Sequence, residues 1–157
     1  MFAVGNAAAF VKQNEWLLCQ TVFAGYLLLL SWMDVRKRKL NLAVLLSGFP
    51  MAVLGQICFG SMPGILQAAG GAVGLVFFVV SRMTREAFGY GDSILIAIMG
   101  IFVGFWNILS VLMGAFSMAA LFSIIMLIRN HFTKKSSFPF VPFLTAAYIA
   151  GMITGGY

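Results

Sequence analysis

Long apolar runs separated by short polar segments dominate the chain. The first run, WLLCQTVFAGYLLLLSWM, lies within residues 15–33 and stops at Asp34-Val35-Arg36-Lys37-Arg38-Lys39. A second spans 40–59 and ends at Gly60-Ser61-Met62-Pro63-Gly64, and a third spans 65–81. A polar loop then leads through Gly89-Tyr90-Gly91 into a fourth run, 92–105, which Trp106-Asn107 separate as a tight turn from a fifth, 108–128. A basic loop, 129–137, precedes the last run, 139–156. Each run approaches the roughly 20 apolar residues a transmembrane helix needs. None alternates with period two, which argues against a β-barrel. The pattern predicts an all-α, polytopic integral membrane protein with about six transmembrane helices, built as a single domain over 1–157.

Charge gives the spans a direction. Nine of the ten Lys and Arg residues fall in the loops 34–39, 82–91 and 129–137, which follow spans one, three and five. Those loops share one membrane face, and the opposite loops, 60–64 and 105–107, carry no charge. The positive-inside rule makes the basic face cytoplasmic and places both termini outside. The same cations suit contact with anionic lipid headgroups.

Composition narrows the class further. The chain is 62% hydrophobic and 9% charged, with a mean hydropathy of +1.01. A soluble fold of this length would lack the polar surface to cover itself. The net charge of +6 therefore belongs to membrane topology, and no nucleic acid partner is expected. Cys19 and Cys58 stand alone in apolar runs, with no CxxC pair, and read as buried structural thiols. His131, the only histidine, lies in a basic loop, so no metal or cofactor is expected. The N-terminal segment MFAVGNAAAFVKQNEW makes a poor signal peptide and reads as a short ordered or interfacial lead-in.

Four acidic residues remain: Glu15, Asp34, Glu86 and Asp92. Asp34 ends the first span and Asp92 opens the fourth, so both aspartates sit at one face and at similar depth. Each has a structural explanation taken singly. Asp92 suits the N-cap of the fourth helix, and Asp34 suits pairing with Arg36 or Arg38. Together they suit chemistry, because two carboxylates sharing a site cannot both ionise freely. An ionised one takes a proton from water while a protonated one polarises a peptide carbonyl. Which is the base is not assigned by sequence. Gly89 and Gly91, flanking Tyr90 before Asp92, leave room for an extended peptide to approach and permit positive φ.

Three blocks, in order, resemble the type IV prepilin peptidases, the GxGD class of membrane aspartic proteases. They are Asp34-Val35-Arg36-Lys37-Arg38-Lys39-Leu40-Asn41, Glu86-Ala87-Phe88-Gly89-Tyr90-Gly91-Asp92 and Phe138-Pro139-Phe140-Val141-Pro142-Phe143-Leu144. The layout is similar to the short, core-only form associated with tight-adherence (Flp-type) pili. Two positions depart from the family pattern: Asn41 directly follows Leu40 without an intervening Pro, and Ile94 stands where a Lys is usual.

The resemblance implies a bacterial inner-membrane endopeptidase that removes leader peptides from prepilin-like precursors at the cytoplasmic face. Its substrate would carry a basic leader before an apolar helix, with Asp34 and Asp92 as the catalytic pair. Gly89, Gly91, Arg36, Glu86, Pro139 and Pro142 would bind substrate or shape the site. The CxxC-bearing cytoplasmic domain of larger relatives has no counterpart here, so N-methylation is not expected. Two readings from other classes stand beside this one: a small transporter or channel with paired carboxylates, and a catalytically silent scaffold for pilus assembly. The pilin substrate and the oligomeric state are not specified by the sequence.

Overall fold

The computed structural model describes residues 2–37, 42–59, 62–83, 89–129 and 139–155. The described chain is helical throughout, in six elements: α1 (Phe2–Lys37), α2 (Leu42–Phe59), α3 (Gly64–Met83), α4 (Tyr90–Val103), α5 (Phe105–Ile128) and α6 (Val141–Ile153). With water excluded from the bilayer core, a helix satisfies its backbone groups internally, which is why apolar runs of this length take this form. Within α1 the segment Asn14–Arg36, together with α3 and α5, is long and apolar enough to cross a membrane. The segment Leu42–Cys58 of α2, α4 and α6 are shorter apolar helices. This is the all-α architecture of a polytopic membrane protein.

The lead-in is helical and runs straight into the first span, since α1 is one continuous helix from Phe2. Two local expectations are corrected. The break between α4 and α5 falls at Gly104, not at Trp106-Asn107, which lie inside α5. Gly104 sits at φ 81, where a side chain is strained. Its N–H bonds Gly100 O at 2.9 Å and its carbonyl accepts from Ile108 N–H at 3.0 Å. Finally, the cysteines are not both buried: Cys58 is exposed and Cys19 only half-buried.

The closest helix pair is α3–α4. A Cβ on Gly70 would overlap the carbonyl of Gly100, one on Gly100 would overlap that of Gly70, and one on Gly74 would overlap the backbone of Ala97. The pairs 70/100 and 74/97 run antiparallel, and Phe78 meets Tyr90 with ring centroids 5.7 Å apart at the end of the seam. Small residues allow such approach, and dispersion across it replaces a hydrophobic drive that lipid does not supply.

Elsewhere larger side chains and polar contacts set the spacing. Phe23 of α1 stacks on Phe102 of α4 with centroids 4.1 Å apart, and Trp16 stacks on the same ring at 5.5 Å. Tyr26 of α1 donates to the carbonyls of Val44 (3.2 Å) and Leu45 (2.9 Å) in α2. The buried Gln56 of α2 donates to Phe102 O of α4, and Gln67 of α3 donates to Gln56 Oε1 at 3.3 Å. α1 runs antiparallel to α6: Thr145 Oγ1 donates to Leu27 O at 3.3 Å and Tyr148 OH to Gln20 O at 3.4 Å. The core these contacts surround includes Phe23, Leu27, Leu95, Met99, Phe102 and Tyr148.

Candidate active site

The antiparallel pairings bring the last turns of α1 and α3 to one end of the bundle with the first turns of α4 and α6. Both aspartates are at that end, on different helices.

Asp92 sits in the first turn of α4. Gly89 occupies the N-cap position, and no side chain caps the helix, so Asp92 is not the N-cap that its sequence position suggests. It stands three residues further on, where a carboxylate still complements the positive helix end. Gly89 O accepts the N–H groups of Asp92 (3.1 Å) and Ser93 (3.3 Å). Gly89 itself is extended, at φ −62 and ψ 132, so positive φ is not what glycine supplies here. Space is: a Cβ at this position would stand 3.2 Å from Asp92 Oδ2. Gly91 lies beside Asp92 in the same half-buried turn.

Asp34 is half-buried in the last turns of α1. Its carboxylate accepts the backbone N–H of Val141, the first residue of α6. Helix N-termini carry N–H groups without an intrahelical partner. In α6 the next residue, Pro142, has no N–H at all, and Phe140 O takes the N–H groups of Phe143 and Leu144. The Val141 N–H is thus the donor left for Asp34. The second oxygen, Oδ2, is buried and has no hydrogen-bond partner among the described residues. Arg36 is exposed and forms no ion pair with Asp34 among the described residues, contrary to one of the structural explanations for Asp34.

Asp34 and Asp92 lie within direct charge–charge reach of each other. A half-buried carboxylate pair with one unpartnered buried oxygen can hold a water molecule and exchange a proton with it. Pro139 and Pro142 lie on either side of Val141 at the start of α6, and the bond from Val141 brings that turn up to Asp34. Glu86 and Arg38 lie outside the described residues. Among the described residues no group of three His, Cys, Asp or Glu side chains is placed to hold a metal ion.

The Val141 N–H is the site element that sequence reading missed. Its signal was present in Phe140-Val141-Pro142: a proline in the first helical turn leaves one orphan donor beside a position with none. The proline pair read only as binding substrate or shaping the site.

The fold and site define a polytopic helical membrane protein with paired carboxylates at one end of its bundle. The model of the type IV leader peptidase family matches residues 21–124, more than half of the chain and inclusive of both aspartates, so the chain belongs to that family. The match stops short of α6, whose first turn meets Asp34. No curated protein and no solved structure matches the chain.

Proposed function

We propose that this protein is a membrane aspartic endopeptidase that cuts the leader from prepilin-like precursors at the cytoplasmic membrane face. Asp34 and Asp92 form its catalytic pair. The observation that carries the reading is their meeting from α1 and α4 at one end of the bundle. That end also receives the loops richest in Lys and Arg, which supports a cytoplasmic placement. Family membership supports the leader-peptidase part of the reading.

In the proposed reaction the ionised aspartate removes a proton from water as its oxygen attacks the scissile carbonyl carbon. The protonated aspartate hydrogen-bonds the carbonyl oxygen, which becomes the hydroxyl of a tetrahedral intermediate. On collapse a hydroxyl proton returns to the second aspartate as the carbonyl re-forms and the C–N bond breaks, and the proton taken from water passes from the first aspartate to the leaving amine. Val141 N–H fixes one side of the Asp34 carboxylate during these steps. Gly89 and Gly91 keep the approach to Asp92 open to an extended chain. The substrate is a protein with a short basic leader before an apolar helix, presented from the lipid.

The test is cleavage of such a precursor by purified protein, beside Asp34→Asn and Asp92→Asn variants shown to fold. The proposal expects cleavage by the parent chain and none by either variant. Equal cleavage by all three would refute the dyad.

A further inference from the structure

α1 and α2 pair antiparallel in a fixed register. Tyr26 packs on Gly48 and, two turns toward the other end of the bundle, Cys19 packs on Gly55, where an added Cβ would stand 2.8 Å from the thiol sulfur. The two pairs share one register, so the residue one turn past Gly55 on the same face of α2 is Cys58. Every Cα–Cβ bond in a helix tilts toward that helix's N-terminus. In antiparallel helices the two tilts oppose. Cys19 therefore leans toward the level of Cys58, and Cys58 leans back toward Cys19. The two thiols lie within electrostatic reach of each other, and both line one apolar cavity of about 630 Å³ between α1 and α2, with Leu18, Met51 and Leu54. Cys58 is exposed on the surface of the bundle and Cys19 partly so, so neither thiol is sealed inside the protein core.

We propose that Cys19 and Cys58 are a redox-responsive pair that closes to an intramolecular disulfide, clamping α1 to α2 across this cavity. The pair sits at the end of the bundle opposite the aspartates, which the charge asymmetry directs to the outer, oxidising compartment. The oxidant is a protein disulfide of that compartment. Cys58, as thiolate, attacks a donor sulfur; the donor S–S bond breaks and a mixed disulfide forms. Cys19, as thiolate, then displaces the donor's second thiolate. Cys19 and Cys58 lose two electrons and two protons, and the donor leaves as a dithiol. This inference is independent of the peptidase reading, because neither thiol touches the carboxylates.

The experiment uses the full chain in membranes, oxidised with copper–phenanthroline or oxidised dithiothreitol, then denatured in SDS and titrated with maleimide. The expected result is loss of both reactive thiols, a monomer mass lower by two hydrogens, and full recovery of both thiols on reduction. Cys19→Ser and Cys58→Ser variants should each keep their remaining thiol in the monomer. Persistence of both thiols in the oxidised parent chain overturns the proposal. So does a covalent dimer through Cys58 as the main product.

Discussion

The two aspartates reach the same end of the bundle, but different forces hold them there. Asp92 rides on a backbone seam: Gly70, Gly74 and Gly100 let α3 and α4 touch main chain to main chain, and the position of the first turn of α4 follows. Asp34 rides on polar contacts between α1 and α6: the Val141 N–H on its carboxylate, and Thr145 and Tyr148 bonded to α1 carbonyls. A steric seam is close to all-or-none, because overlap with backbone has no small remedy. A set of interhelical hydrogen bonds is graded, since each contributes only about 0.6 kcal/mol on average in a membrane. One carboxylate is thus fixed by shape and the other is tuned by polarity.

The largest effect removes that distinction. Under the proposed mechanism, Asp34→Asn and Asp92→Asn each eliminate one member of the pair that would share a proton and should lower kcat by about 10³-fold or more. The Asp34→Asn amide oxygen still accepts the Val141 N–H, so thermal stability in detergent should stay near that of the parent chain. The parent enzyme should show a bell-shaped pH–rate profile. At low pH both carboxylates are protonated and no base remains; at high pH both are ionised and no acid remains. A flat profile across the range where the protein stays folded would remove the shared-proton mechanism.

Next is the seam. Gly70→Val places a branched side chain against the carbonyl of Gly100. It should cost about 1–3 kcal/mol of stability, and, by shifting α4 by about an ångström, lower kcat/KM about 10²-fold. Gly25 is the matched control. Nothing lies within 4 Å of a Cβ there, so Gly25→Ala should leave activity unchanged and stability equal or slightly raised. Similar losses in both variants would mean that an added side chain is tolerated no better at an open glycine than at the seam, so the seam does not control the site.

The same contrast explains what the sequence made legible. Six helices and the shared end of Asp34 and Asp92 followed from apolar runs and cation placement, because the bilayer imposes length and sidedness locally. Gly70, Gly71 and Gly74 cluster in the third apolar run, a small-residue pattern that suits a close helix contact. Their partner, Gly100, was not readable, because a single glycine has no pattern. The Gly104 break was missed because Trp106-Asn107 carried the stronger local polarity, whereas a single glycine that takes positive φ adds no polar signal. The exposure of Cys58 was missed because an apolar neighbourhood reads as burial, although in a membrane protein apolar faces point outward. The bond from Val141 to Asp34 joins residues more than a hundred positions apart, and only tertiary packing specifies it.

A smaller perturbation tests the approach to Asp92 without moving α4. Gly89→Ala would put a Cβ 3.2 Å from Asp92 Oδ2. Extended φ and ψ at this position accept alanine, so the fold should survive and the carboxylate should yield by a few tenths of an ångström. A loss of about tenfold in kcat, with stability unchanged, is expected. Unchanged kcat with a raised KM would show that Gly89 serves substrate passage and not the carboxylate.

The smallest effect belongs to the polar side. Thr145 lies one turn into α6 from Val141, and its hydroxyl oxygen is 2.8 Å from Val141 O and 3.3 Å from Leu27 O of α1. It ties the first turn of α6 to α1 below Asp34. Thr145→Val keeps the branched shape and removes the donor. The cost should be about 0.6 kcal/mol, seen as a small drop in thermal midpoint. The Val141 N–H should then wander slightly from the Asp34 carboxylate and kcat fall about two- to threefold, in line with the loss of a single modest hydrogen bond. The pH profile makes the result specific, because loosening this donor acts on one limb of the bell whereas Gly70→Val lowers the whole curve. If Thr145→Val instead matched the loss in Gly70→Val, Asp34 would be held by shape as rigidly as Asp92, and the contrast between the two sides of the site would disappear.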